Sequence, residues 1–156
     1  MSSLSADLQA ALPEPICRAA RLSRFLARML DSRPWLAERL TQSIDQPRDA
    51  DAMRAFLAGQ EAASTPELAL RPGLRHLRTW VLCHLIVRDL CGRADLTEVT
   101  ETMTVLAEVA VRHAHDELRA ALVQRYGLPL SATGWEQELL IIGMGKLGGR
   151  ELNVSS

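Results

Sequence analysis

The sequence predicts a mainly α protein. A helical bundle over residues 1–130 is followed, over residues 131–156, by the first strand and glycine turn of an incomplete α/β core. Three observations carry this expectation. Apolar residues recur at three- and four-residue spacing from Ile16 to Leu122, the period of a helix. Near residue 130 that period gives way to a continuous aliphatic run, Leu139-Leu140-Ile141-Ile142, which suits a short buried strand. Four of the next seven residues are glycine, which lets the backbone turn tightly and approach another group closely.

The 156 residues are 47% hydrophobic and 24% charged, enough apolar material for a core. The formal net charge of −1 gives no general basic surface for nucleic acid. No apolar run reaches the roughly 18 residues of a membrane span. Met1-Ser2-Ser3-Leu4-Ser5-Ala6-Asp7 lacks the basic and apolar regions of a secretory signal, so a cytoplasmic protein is expected. Cys17, Cys83 and Cys91 are odd in number and lack CxxC spacing. They read as reduced thiols acting as small apolar residues.

The helices follow in order. Residues 4–12 form a short helix, stopped by Pro13-Glu14-Pro15. Ile16 to Leu30 reads as one helix, with Leu22, Phe25, Leu26, Met29 and Leu30 on one face and Arg18, Arg21, Arg24 and Arg28 on a solvated side. Asp31-Ser32-Arg33-Pro34 breaks it. Trp35 to Ile44 then carries Leu36, Leu40 and Ile44 on one stripe. Asp49 caps a helix holding Met53, Phe56 and Leu57. Gly59 to Gly73, with Pro66 and Pro72-Gly73, reads as a loop or hinge.

Leu74 to Cys91 has a broad apolar face, and Gly92 is placed to end it. Asp89 in its last turn opposes the negative helix end, so an arginine partner is expected. Asp95 and Glu98 stand in capping-box positions for the longest helix. Its stripe runs Val99, Met103, Leu106, Ala110, Ala114, Leu118, Ala121 and Leu122, until Gly127 and Pro129. His113 and His115, two apart, point to different sides and make no metal face; His76 and His84 share a side but lack further ligands. Leu128 to Gly134 is a loop.

The terminal stretch carries the chemistry. Gly143-Met144-Gly145-Lys146-Leu147-Gly148 fits G-x-G-x-x-G after a strand, the dinucleotide-binding fingerprint. That fingerprint needs a long helix and a second strand ending in an acidic residue about twenty positions on. Only eight residues follow Gly148, and a Walker loop is absent.

The fuller string, Gly-Met-Gly-Lys-Leu-Gly-Gly-Arg-Glu-Leu-Asn-Val-Ser-Ser over residues 143–156, is more specific. It resembles the nucleotidyltransferase motif of the bifunctional glutamine synthetase adenylyltransferase/adenylyl-removing enzymes. Leu74-Arg75-His76-Leu77-Arg78 and Val87-Arg88-Asp89-Leu90-Cys91-Gly92-Arg93-Ala94-Asp95-Leu96 resemble the stretch before that family's catalytic core. The resemblance covers residues 70–156 and points to the N-terminal, adenylyl-removing part.

The resemblance implies a polymerase β-like nucleotidyltransferase core that removes AMP from a tyrosine of glutamine synthetase by phosphorolysis, giving ADP. It implies signalling through the PII protein, and a D-x-D pair holding Mg²⁺. It further implies that the backbones of Gly143, Gly145, Gly148 and Gly149 approach phosphate, that Lys146 neutralises its charge, and that Ser155 and Ser156 lie beside the ATP- or ADP-type nucleotide. The wider superfamily has Gly-Ser or Gly-Gly where this chain has Gly145-Lys146. Arg150 and Glu151 are expected to pair with each other or with the core. In the family the D-x-D pair follows the residues matching Ser155-Ser156, where this sequence stops. The expectation is that this chain alone has no metal ligands and no activity, and that its last ~20 residues are poorly anchored. A non-catalytic helical interaction module and a truncated Rossmann-type enzyme are the alternatives.

Overall fold

A computed structural model describes residues 4–61 and 66–154. Its helices are α1 (Ala6–Ala11), α2 (Glu14–Leu22), α3 (Arg24–Ser32), α4 (Pro34–Ser43), α5 (Ala50–Glu61), α6 (Pro66–Leu90), α7 (Leu96–Tyr126) and α8 (Gly145–Gly148). The mainly α expectation holds. Among the described residues there is no strand, only an isolated antiparallel bridge between Leu130 and Glu136.

Local chemistry sets most helix ends. Pro13 precedes α2 and Pro15 lies in its first turn, where a missing N–H costs nothing. The single helix expected from Ile16 to Leu30 is two. Ser23 leaves helical geometry (φ −121°, ψ 105°), and its hydroxyl accepts the Leu26 N–H at 3.2 Å, capping α3. The break re-aims the face: Leu26 and Leu30 are buried, whereas Leu22 is exposed. Leu36, Leu40 and Ile44 are buried as their spacing predicts. Asp49 Oδ1 accepts the Ala52 N–H at 2.8 Å at the start of α5.

The Gly59–Gly73 loop is a second correction. α5 continues to Glu61 and α6 begins at Pro66, with Pro72 inside it; residues 62–65 lie outside the described residues. Gly73 serves packing rather than a turn. A Cβ there would already touch Leu57 Cδ2 at 3.7 Å and Gln60 Cβ at 3.9 Å, so a larger side chain would wedge α6 away from α5.

α6 is the central helix, packed against α2, α3, α4, α5 and α7. Phe56 stacks on Trp80 with centroids 5.0 Å apart, and Trp35 lies 6.1 Å from Phe56. At its C-terminus Gly92 takes φ +68°, the Gly92 N–H donates to Asp89 O at 2.9 Å, and the Arg93 N–H donates to Arg88 O at 2.7 Å. This is the left-handed Schellman ending that glycine permits.

The ion pair expected at Asp89 belongs to its neighbour. Asp89 is exposed, while Arg88 is buried on the same stripe as Leu77, Val81 and His84. Arg88 Nε and Nη2 donate to the two Glu98 carboxylate oxygens at 2.5 and 2.9 Å; Nη1 donates to Ile44 O at 2.9 Å and Nη2 to Arg93 O at 3.0 Å. One guanidinium thus ties the end of α4, the α6–α7 turn and α7 together. Asp95 caps α7 by accepting the Glu98 N–H at 2.8 Å, but the Glu98 side chain is taken by Arg88.

α7 has 31 residues, roughly 46 Å at the usual rise. Its N-terminal half buries Met103, Leu106 and Val109 against the bundle. Its C-terminal half leaves Leu118 and Leu122 exposed. Gly127 at φ +81° ends it. A compact turn follows, closed by Ser131 N–H to Trp135 O at 2.8 Å and Gln137 N–H to Pro129 O at 2.8 Å. The strand expected at Leu139–Ile142 does not form among the described residues. A strand exists only by pairing with another, and this run has no such neighbour, so its four side chains stay exposed.

Candidate functional site

The glycines after Ile142 fold into one tight unit. Gly145 adopts φ +56°, the left-handed region, and starts α8. Gly148 faces the backbone of Gly143: a Cβ at 148 would stand 2.6 Å from Gly143 O, closer than any side chain tolerates. A Cβ at Gly143 would meet the side chain of Leu147 at 3.0 Å, a neighbour that can give way. The Gly149 N–H donates to Gly145 O at 2.8 Å, closing the turn.

Arg150 ends the unit with φ +57°, unusual for a non-glycine residue. Its N–H donates to Leu147 O at 3.2 Å and the Glu151 N–H to Lys146 O at 2.7 Å, a second Schellman ending. The Arg150 guanidinium donates to Glu108 Oε1 at 2.8 Å, tethering the turn to α7. Arg150 was expected to pair with Glu151 or with the core; its partner is instead the half-exposed Glu108, which carried no sequence signal because it lies off the apolar stripe of α7. Leu152 packs against the hydrophobic core, so the segment is held at Arg150 and at Leu152, more firmly than expected there.

Gly143, Gly145, Lys146, Gly148 and Gly149 are therefore brought into one turn, with Lys146 exposed on α8. Ser155 and Ser156 lie outside the described residues. Among the described residues no three His, Cys, Asp or Glu side chains gather as metal ligands. Mg²⁺ favours octahedral oxygen coordination, and Glu151 is the one carboxylate of the 143–154 segment. The described residues do not build a Mg²⁺ site.

Two titratable groups, His84 and Cys83, are buried in the helical body. His84 is fully buried, with Nε2 at 3.0 Å from Gln46 O and Nδ1 without a hydrogen-bond partner. Burial, then the nearby Arg48 and Arg88 charges, lower its pKa to about 3 against the Gln46 bond, so it stays neutral. His76 instead packs on Trp35 with centroids 5.2 Å apart, and its Nδ1 lies 3.4 Å from Gln60 Oε1. The two histidines make no common site. Cys17, Cys83 and Cys91 are free, and burial pushes the Cys83 thiol up to about 12, leaving it inert.

A glycine turn that brings bare backbone and one exposed lysine together thus stands beside a helical body. The chain belongs to the glutamate-ammonia ligase adenylyltransferase family, whose profile matches residues 14–156. That match reaches well upstream of the motifs at 74–96. It is 65% identical over 145 residues to the bifunctional glutamine synthetase adenylyltransferase/adenylyl-removing enzyme of Aromatoleum aromaticum, covering 93% of this chain and 15% of that protein. Enzymes of the same description from Chromobacterium violaceum and Bordetella pertussis are 48% and 46% identical over 142 and 147 residues, covering 90% and 91% of this chain. The chain spans 15–16% of the length of these relatives. No solved structure matches it.

Proposed function

We propose that this chain is the helical N-terminal part of a glutamine synthetase adenylyl-removing unit and the opening of its nucleotidyltransferase core, with the boundary near residue 130. The reading is carried by one observation: the family match runs without interruption from the helices through the glycine turn. In this reading the turn of Gly143, Gly145, Gly148 and Gly149 lets phosphate approach the backbone, and Lys146 neutralises its charge. Ser155 and Ser156 stand beside the nucleotide. Glutamine synthetase bearing AMP on a tyrosine is the substrate, and the PII protein brings the nitrogen signal in the cytoplasm.

The proposed reaction is a phosphorolysis. An oxygen of inorganic phosphate attacks the AMP phosphorus, the tyrosine oxygen leaves and takes a proton, and ADP is the product. Such transfers are governed by positioning and charge neutralisation, which a glycine turn and a lysine supply. In the same reading a D-x-D pair beyond Ser156 would hold Mg²⁺, which would neutralise charge on the transferring group.

The test uses a polypeptide extended through that strand, supplied with adenylylated glutamine synthetase and phosphate. ADP formation is expected, and Lys146→Ala should slow it with no change in helical circular dichroism. Unaltered activity in that variant removes the phosphate role. The 156-residue chain itself is expected to form no ADP.

A further inference from the structure

The turn that carries Lys146 ends on a residue its backbone does not favour. Arg150 sits at φ +57°, in the left-handed region, where an L side chain crowds the backbone and a Schellman ending usually has glycine. Strained non-glycine residues persist only where surrounding contacts hold them, and they gather at functional sites. Here the contact is the bond to α7: the Arg150 guanidinium donates to Glu108 Oε1 at 2.8 Å. Glu108 stands between Leu106 and Val109, both buried, so the anchor lies on the part of α7 that the bundle holds.

The turn has little else to fix it. α8 has four residues, none of them buried, and so short a helix does not keep its shape by its own hydrogen bonds. Its closing bonds run through the tethered residue and the next one, from the Arg150 N–H to Leu147 O and from the Glu151 N–H to Lys146 O. Lys146 is therefore one turn away from the arginine that α7 holds.

We propose that Arg150 and Glu108 are positioning residues, an ion pair that aims the glycine turn and the Lys146 ammonium at the transferring phosphate. The proposal rests on the reading that this turn receives phosphate. Neither residue of the pair touches phosphate. The guanidinium is engaged by the carboxylate, and the carboxylate would repel an anion, so the value of Glu108 to the site is its hold on Arg150.

The test follows ADP formation by the extended polypeptide from adenylylated glutamine synthetase and phosphate. Glu108→Ala should lower kcat about tenfold, a loss within reach of a slightly displaced group, with KM for glutamine synthetase unchanged. Glu108→Gln keeps an acceptor oxygen and should retain most of the rate. Arg150→Gly relaxes the backbone but removes the guanidinium, and should be as slow as Glu108→Ala; it serves as the second readout should that variant fold poorly. Glu108→Arg combined with Arg150→Glu should recover part of the rate. In the 156-residue chain, Glu108→Ala should quicken amide exchange at Gly148 and Gly149 with little change in melting temperature. Unchanged or faster ADP formation in Glu108→Ala overturns the proposal, since Arg150 then works better free than tethered. Equal loss in Glu108→Gln and Glu108→Ala also overturns it, because charge and not the bond is then what matters. Lys146→Ala separates the two readings: slowed ADP formation there beside an indifferent Glu108→Ala keeps the function and removes the positioning, whereas an unaltered rate in Lys146→Ala removes both.

Discussion

The two halves of α7 share a sequence pattern and differ in fate. Met103, Leu106 and Val109 are buried against α5 and α6, while Leu118 and Leu122, on the same stripe, are exposed. Composition does not separate them; what lies opposite does. Residues 4–61 and 66–110 form a body locked by aromatic stacking and a buried ion pair. Residues 111–154 form an arm with most of its large apolar side chains exposed, held near its end by Arg150 and Leu152. The comparison teaches that helical period reports a capacity for burial, and that burial needs a second surface.

Substitutions should separate the body from the arm. Phe56→Ala removes the ring stacked on Trp80 and should destabilise the body by about 3–5 kcal/mol in urea unfolding. Arg88→Ala leaves Glu98 and the carbonyls of Ile44 and Arg93 without their donor, and should cost about 3 kcal/mol. A loss below 1 kcal/mol would mean that this clasp does not hold the body together.

The body should also respond to acid through His84. Its pKa is lowered from 6.5 to about 3 in the fold, so the unfolded chain binds the extra proton between those values. Stability is therefore insensitive to this group above pH 6.5 and falls as pH drops from 6.5 towards 3. The limiting slope is about 1.4 kcal/mol per pH unit. His84→Gln should flatten that part of the profile in melts from pH 7 to 5; an unchanged slope would assign it to other groups. The smallest effect belongs to the arm. Glu108→Ala breaks a half-exposed pair and should change global stability by about 0–1 kcal/mol, while amide exchange at Gly148 and Gly149 quickens. Large global destabilisation there would erase the division between body and arm.

Much of the body was legible in the sequence. Asp49, Gly92 and Asp95 sit where local backbone chemistry requires a cap, and Leu36, Leu40 and Ile44 where one face is buried. Ser23 was missed because its neighbours keep the apolar period across the break. Arg88 was passed over for Asp89, although its place on the Leu77, Val81, His84 stripe marked it as buried. At the candidate site the glycines were legible as a turn, but the reason residue 148 must be glycine lies in the carbonyl of Gly143, which no spacing rule contains.

The sequence by itself determined the helical body, the caps at Asp49, Gly92 and Asp95 and the family, because these rest on local backbone chemistry and on the order of residues. Only the tertiary structure decided that Arg88 clasps three segments, that Glu108 holds Arg150, and that Leu139–Ile142 stand exposed beside α7. Each depends on groups distant in sequence meeting, or failing to meet, in space.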